Sequence, residues 1–268
     1  MHPSSIAMHL GAMTKSLFIA LLLAACASAP NQSPAIGRFY HYVRSNQDGT
    51  LPEQIYQYRA SATRLEVGKE VERCTNAAFV TAEFDPARGQ GAAFTGGRLK
   101  RDLTQDPFAY LSYDAPGRSL HAVVAMASVD QRLAITGEPY LLYDFDLADL
   151  NARFAGAPAP RSGFRFDVVL IWPELAPEPL RDLGWADADF AGPETHLRRP
   201  SLRYDVSGGL NGVLWLDARE GHVLEARFSE PNHGEYRDFR LVLQRIDNDG
   251  AGAWPAVRAA HWLDCPAE

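Results

Sequence analysis

The sequence predicts an all-β body with a minor helical component, an antiparallel meander that forms a half-barrel or a sandwich with one or two short helices. Three observations carry this. From Gly37 onward apolar residues recur with a period of two rather than 3.6. Turn motifs rich in Gly, Pro, Asn and Asp separate the alternating runs. The clearest helical stripe is a single short one, Leu147–Phe154.

The elements follow in order. In "FYHYVR" Phe39, His41 and Val43 share one side while Tyr40, Tyr42 and Arg44 share the other, and "SNQDGTLP" reads as a turn. "QIYQYR" puts Tyr56 and Tyr58 on one face, "RLEVGKEV" adds Leu65 and Val67, and "AAFVTAEFD" is a further strand. Asp85-Pro86-Ala87-Arg88-Gly89 suits a type I turn in which proline sets φ and glycine takes the left-handed exit. Pro116-Gly117 suits the centre of a type II turn joining "AYLSYD" to "SLHAVVAM". Asp217–Gly221 joins "GVLWLD" to "HVLEARF" as a short hairpin. In the helical stripe Leu147, Leu150 and Phe154 share a face, with Asp146 placed to cap the exposed amides. "FRFDVVLIW" reads as a more buried strand, ended by the prolines of "PELAPEP". The closing "WPAVRAAHWLDC" suits either a helix or a last strand.

The amino end is of a different kind. The nine apolar or small residues Leu17–Ala25 fall short of the roughly 20 that span a bilayer but match a signal-peptide h-region of about 7–15. Lys15 supplies the positive n-region, and Met13 opens a more conventional signal than Met1.

Leu23-Ala24-Ala25-Cys26 resembles the lipobox of bacterial lipoproteins. The resemblance implies cleavage before Cys26, acylation of the new amino terminus and a diacylglyceryl thioether on the sulfur. Each buried methylene contributes about 0.8 kcal/mol, so several chains make a durable membrane anchor. Ala27, rather than an aspartate, follows the cysteine, which by the same resemblance implies sorting to the outer membrane, facing the periplasm. The alternative is an ordinary secretory cut after Ala29, where Ala27-Ser28-Ala29 fits the A-x-A pattern. Residues 1–25 thus read as signal peptide, 26–36 as lipidated terminus and flexible tether, and 37–268 as a single β-rich domain.

Removing residues 1–25 from 268 leaves 243, enough for a substantial core. The remaining side chains, 25 basic against 33 acidic, carry −8, and no basic stripe clusters in the sequence. That balance argues against a nucleic-acid partner. With Cys26 taken by lipid, Cys74 and Cys265 are an even pair in an oxidising compartment and read as a disulfide that ties the carboxyl tail to the first third of the domain. Two buried free thiols are the alternative.

The second half, "LRYDVSGGLNGVLWLDAREGHVLEARF" followed by "YRDFRLVLQRI", runs strand, turn, tryptophan-bearing strand, acidic turn, returning strand. It is similar to bacterial half-barrel carriers such as LolA and LolB, over about a quarter of the chain. That resemblance implies an incomplete barrel around an apolar cavity that accepts lipid or acyl chains.

Catalytic signatures are scarce. The mature chain has no G-x-S-x-G, Ser-x-x-Lys, H-E-x-x-H, P-loop or G-x-G-x-x-G. His233 and Glu235 form an H-x-E without the P-C-x-x-C that a zinc deaminase requires. Asp144, Asp146 and Asp149 are close together but lack the glycine and glutamate of an EF-hand, and helix capping explains Asp146 more simply. Asp187 and Asp189 read as a solvated strand face; His41, His196, His222 and His261 are scattered. The aromatic residues Tyr40, Tyr42, Tyr56, Tyr58 and Trp215, with Trp254, fall at strand positions, where core packing is one account and a groove for an apolar ligand the other. The expectation is a non-catalytic envelope lipoprotein without cofactor that binds an apolar ligand or an envelope component. A structural or protein-interaction lipoprotein is the alternative, and a carboxylate-dependent hydrolase the third reading.

Overall fold

The computed structural model describes residues 35–172 and 178–266. The leader, Cys26 and most of the tether therefore lie outside the described residues. An amino-terminal meander comprises β1 (Phe39–Ser45), β2 (Glu53–Arg59), β3 (Arg64–Glu70), β4 (Ala78–Asp85), β5 (Gln90–Leu99), β6 (Gln105–Asp114), β7 (Ser119–Val124) and β8 (Val129–Ala134), each antiparallel to the next. After it come β9 (Tyr140–Leu142), a 3-10 turn (Tyr143–Phe145) and α1 (Ala148–Phe154). A second meander follows: β10 (Phe164–Ile171), β11 (Leu180–His196), β12 (Arg199–Gly208), β13 (Gly212–Asp217), β14 (Val223–Phe228) and β15 (Phe239–Asp247), then α2 (Gly250–Trp262).

The two meanders join where β15 pairs antiparallel with β1, making one sheet of 15 strands in the order 8-7-6-5-4-3-2-1-15-14-13-12-11-10-9. All pairings are antiparallel except the short β9–β10 contact. The predicted all-β class holds, as one curled sheet rather than a two-sheet sandwich. The β8 edge reaches β11 of the second meander through a side chain: the Gln131 amide donates to the Leu180 carbonyl at 3.1 Å and accepts from the Leu180 N–H at 2.7 Å.

Period-two alternation decides what faces the inside of the curl. Tyr40 and Tyr42 of β1, Ile55 of β2, Val67 of β3 and Phe94 of β5 meet Phe145, Leu150, Val168, Tyr204 and Phe228 in the main core. Phe39, on the other side of β1, joins Phe79, Leu99 and Trp254 in a second cluster, where α2 lies on the outer face. Gly68 makes that approach feasible, since a Cβ there would sit 2.9 Å from the Trp254 ring. The ambiguous closing segment is thus a helix, capped by the Asp249 carboxylate, which accepts from Gly252 N–H at 3.1 Å.

Local turn chemistry agrees at two sites and departs at two. Gly89 and Gly221 take the left-handed exits, with φ of 69° and 71°, and the Asp85 and Asp217 carboxylates accept the amides inside each turn. At Ala115–Arg118 the left-handed residue is Arg118, φ 46°, so the turn is not the expected type II with Gly117 at φ above zero. At α1 the residue before the helix is Leu147, itself left-handed at φ 60°, whose side chain makes no capping hydrogen bond. Asp146 does not cap; two cations described below claim its carboxylate.

Cys74 and Cys265 stand at disulfide distance, with Cα atoms 5.4 Å apart, fastening the chain beyond α2 to the loop after β3. The Cys74 N–H donates to the His261 carbonyl at 3.1 Å beside them. No helix among the described residues is long and apolar enough to cross a membrane.

Candidate functional site

The five aromatics of the predicted groove fall in three places. Tyr40 and Tyr42 are buried inside the curl; the Tyr42 hydroxyl donates to the Val223 carbonyl at 2.9 Å and accepts from Asn151 at 2.8 Å. Tyr56 and Tyr58 lie on the opposite face, packed with α2, and Tyr56 donates to Glu70 at 2.8 Å. Register is the reason: Tyr56 pairs with His41 and Tyr58 with Phe39, so neither shares a face with Tyr40 or Tyr42. Trp215 is on the outer face of β13, stacked flat on His196 at 4.3 Å.

Inside the curl, the space that a carrier would keep open is occupied by the 3-10 turn and α1. Asn151 of α1 ties three strands at once, donating to Gln57 at 2.7 Å and to Tyr42, and accepting from Val223 N–H at 2.7 Å. Beside it lies a buried ion cluster. Asp146 receives Arg44 at 3.1 Å, Lys69 at 2.8 Å and the Asn232 amide at 2.9 Å. Asp144 pairs with Lys69 at 3.4 Å and with His233, while Arg44 also pairs with Glu53 and stacks over the Tyr236 ring at 4.8 Å.

Burial by itself would disfavour every charge in this cluster. The carboxylates outweigh that penalty for Arg44 and Lys69, holding both above their usual values. His233 and Lys69 do the same in the opposite sense for Asp144, as Arg44 and Lys69 do for Asp146; both carboxyls stay below the usual carboxylate range. All four groups are ionised, so the cluster is a pin that holds the plug in the sheet. Sequence reading missed Arg44 and Lys69. The available signal was Arg44's position on the same side as Tyr40 and Tyr42, and Lys69's being one of two lysines after Cys26.

Two carboxyls are shifted the other way. Burial pushes Asp149 up to about 7, although its oxygens accept the Leu142 and Leu150 N–H groups at 2.8 and 2.9 Å. Asp167 is pushed up to about 6 by burial and by the neighbouring Asp182, despite accepting Gly137 N–H at 3.0 Å. Asp182 accepts Thr136 N–H and hydroxyl at 2.7 Å each and Gly184 N–H at 2.7 Å, so the pair fastens the segment around residue 136 onto β10 and β11. Asp187 pairs with Arg165 on the exposed side of β11, and Asp189 is exposed.

The histidines have separate partners: His41 meets Gln54 at 2.7 Å, His196 meets Glu225 at 2.8 Å, and His261 meets Glu70. Buried His222 lies between Asp217 and Glu220, and desolvation holds it down at about 4. No group of three His, Cys, Asp or Glu among the described residues could hold a metal.

The interior cavity lined by Tyr40, Gln57, Leu65, Asn151 and Ala152 measures about 20 Å³, room for one water, and the space beneath α2 is about 10 Å³. Ligand-sized spaces lie outside instead. One groove of about 700 Å³ runs beside Cys74, between Arg98, Lys100, Arg101 and Trp262. Another, of about 370 Å³, is lined by Leu197, Arg198, Arg199, Leu243, Gln244 and Arg245. No protein-family model matches this chain, and no curated protein sequence is significantly similar to it.

Proposed function

We propose that this protein is an envelope lipoprotein, anchored through Cys26 to the periplasmic side of the outer membrane, whose β body is a non-catalytic binding module acting through its outer surface. The observation that supports this over an internal lipid carrier is the filled interior. Sites for apolar ligands measure about 300–1,000 Å³, whereas the interior cavity between Tyr40, Leu65 and α1 is about 20 Å³. The plug beside it is held by two buried cations, buried Asp146 and part-buried Asp144. An envelope component that meets the outer grooves therefore fits the molecule better than an acyl chain.

Two measurements test the reading. Intact-mass analysis of the membrane-purified protein is expected to give a chain starting at an acylated Cys26; an unmodified terminus after Ala29 contradicts the anchor. In-cell photo-crosslinkers placed at Lys100 and Gln244, in the two grooves, are expected to capture a discrete envelope component that crosslinkers at exposed Arg132, on β8, do not. Equal capture from all three positions, or none, contradicts the outer-surface role.

A further inference from the structure

The geometry points to a phosphate-binding site in the cleft between the β11–β12 hairpin tip and β15, with Arg198, Arg199 and Arg245 as its cationic walls. The inference rests on the outer-surface reading and gives it a ligand chemistry: a phosphate monoester or diester.

Two local irregularities build the cleft. Leu197 and Arg198, the two residues between β11 and β12, both have positive φ, 47° and 60°, as a tight two-residue hairpin requires. On β15 the register skips Gln244, so that Tyr42 pairs with Leu243 and His41 with Arg245. Such a bulge re-aims side chains and is characteristic of sites. The hairpin tip is then fastened across the outer face of the sheet. His196 lies on Trp215 of β13, and its Nε2 reaches Glu225 of β14 at 2.8 Å, bringing residues 197–199 over to β15.

The charge is what selects the ligand. The lining holds three guanidinium groups and no carboxylate, on a chain whose overall charge is negative. Arg198 and Arg245 have no carboxylate within ion-pairing distance among the described residues, and Arg199 reaches Asp217 only at 3.6 Å. Buried Glu225, which holds His196 below the hairpin tip, is already claimed by Arg227 at 2.6 Å, Arg240 at 2.8 Å and His196. The cleft thus keeps two unneutralised cationic forks, Arg198 and Arg245, around about 370 Å³. Guanidinium forks match the oxygens of a tetrahedral phosphate, which offers more acceptors than a carboxylate. Leu197 and Leu243 add apolar wall for whatever the phosphate is attached to.

Calorimetric titration of the full lipidated protein in non-ionic detergent tests this, with inorganic phosphate, dihexanoyl phosphatidic acid and dihexanoyl phosphatidylcholine as probes. At least one phosphate probe is expected to bind, with a tenfold or greater loss in Arg198→Glu/Arg245→Glu and no more than a twofold change in Arg101→Glu, in the other groove. Equal binding of inorganic phosphate and phosphatidic acid identifies a free phosphate group as sufficient. Binding of phosphatidic acid alone identifies a lipid headgroup. Both support the site. Both substituted arginines are exposed, and an unchanged melting temperature of the double variant separates lost binding from lost fold. No heat with any phosphate probe, or equal binding by wild type and the double variant, overturns the site. If crosslinking at Gln244 persists in that case, the outer-surface reading stands without it.

Discussion

Lys69 Nζ lies 2.8 Å from the Asp146 carboxylate, with the two side chains 4% and 0% exposed, so an ion pair from β3 and the internal plug is withdrawn from water. A pair of this kind contributes little against an apolar replacement of both members, but removing one strands the other. Lys69→Met is therefore expected to destabilise the protein by about 3–5 kcal/mol. Urea unfolding of wild type and variant measures it; a loss under about 1 kcal/mol would show that the plug is held by packing alone.

The same cluster sets a pH window. Asp144 and Asp146 titrate below their usual values, so their contribution is present above the ordinary carboxylate range near pH 4 and is lost as pH falls through their depressed values. Lys69 titrates above its usual value, so its contribution is present below about pH 10 and is lost as pH rises through the raised value. Stability measured against pH should fall at both extremes, and both falls should be shallower in Lys69→Met.

Asp167 works in the opposite sense. Its native carboxyl, pushed up to about 6, holds a proton that the unfolded chain releases near pH 4. Between these values the native state binds more protons than the unfolded state, so stability from this group falls as pH rises, then levels off. Asp167→Asn should remove that slope. Denaturation midpoints from pH 4 to 7 that run parallel in wild type and variant would refute the raised native Asp167 carboxyl.

The Cys74–Cys265 link closes a loop with a sequence separation of 191. Loop-closure entropy sets its stabilisation at about 5 kcal/mol as an upper figure. Cys74→Ser/Cys265→Ser should lower the melting temperature and, more tellingly, raise hydrogen exchange in α2 before the sheet, because α2 is the element the link fastens. Uniform loss of protection across sheet and helix would contradict that local role.

Gly68 tests the helix–sheet contact by addition rather than deletion. A methyl group at 68 would meet the Trp254 ring at 2.9 Å, and overpacking of this kind costs about 1–3 kcal/mol. Gly68→Ala is expected to lose that much by urea unfolding, and Gly68→Ala/Trp254→Leu to recover part of it. No loss in the single variant would mean that α2 does not press on β3.

Much of the fold was legible because a strand's period and a turn's glycine are local facts. The alternation of β1 and β2 and the exits at Gly89 and Gly221 needed nothing beyond their own segments. Closure of β15 on β1 and the parallel β9–β10 contact join distant segments, and no local pattern specifies them. The proposed aromatic groove failed for a related reason. Each tyrosine pair was correctly placed on one face of its own strand, but which faces coincide depends on register. Asp146 shows the same limit in charge. A carboxylate before a helix reads as a cap, and only the fold reveals Arg44, 102 residues away in sequence, as its partner. The cationic cleft was hidden because its arginines come from a hairpin tip and a bulge that meet across two intervening strands.

Native mass spectrometry of the membrane-purified protein, released gently from detergent, bears most directly on whether the inside of the curl is full. The filled interior predicts a single species whose mass is the acylated mature chain, with no retained acyl lipid after detergent removal. A stoichiometric, non-covalently held lipid that leaves only when the Asp146 cluster is broken would show that the plug opens to cargo, and would contradict the account.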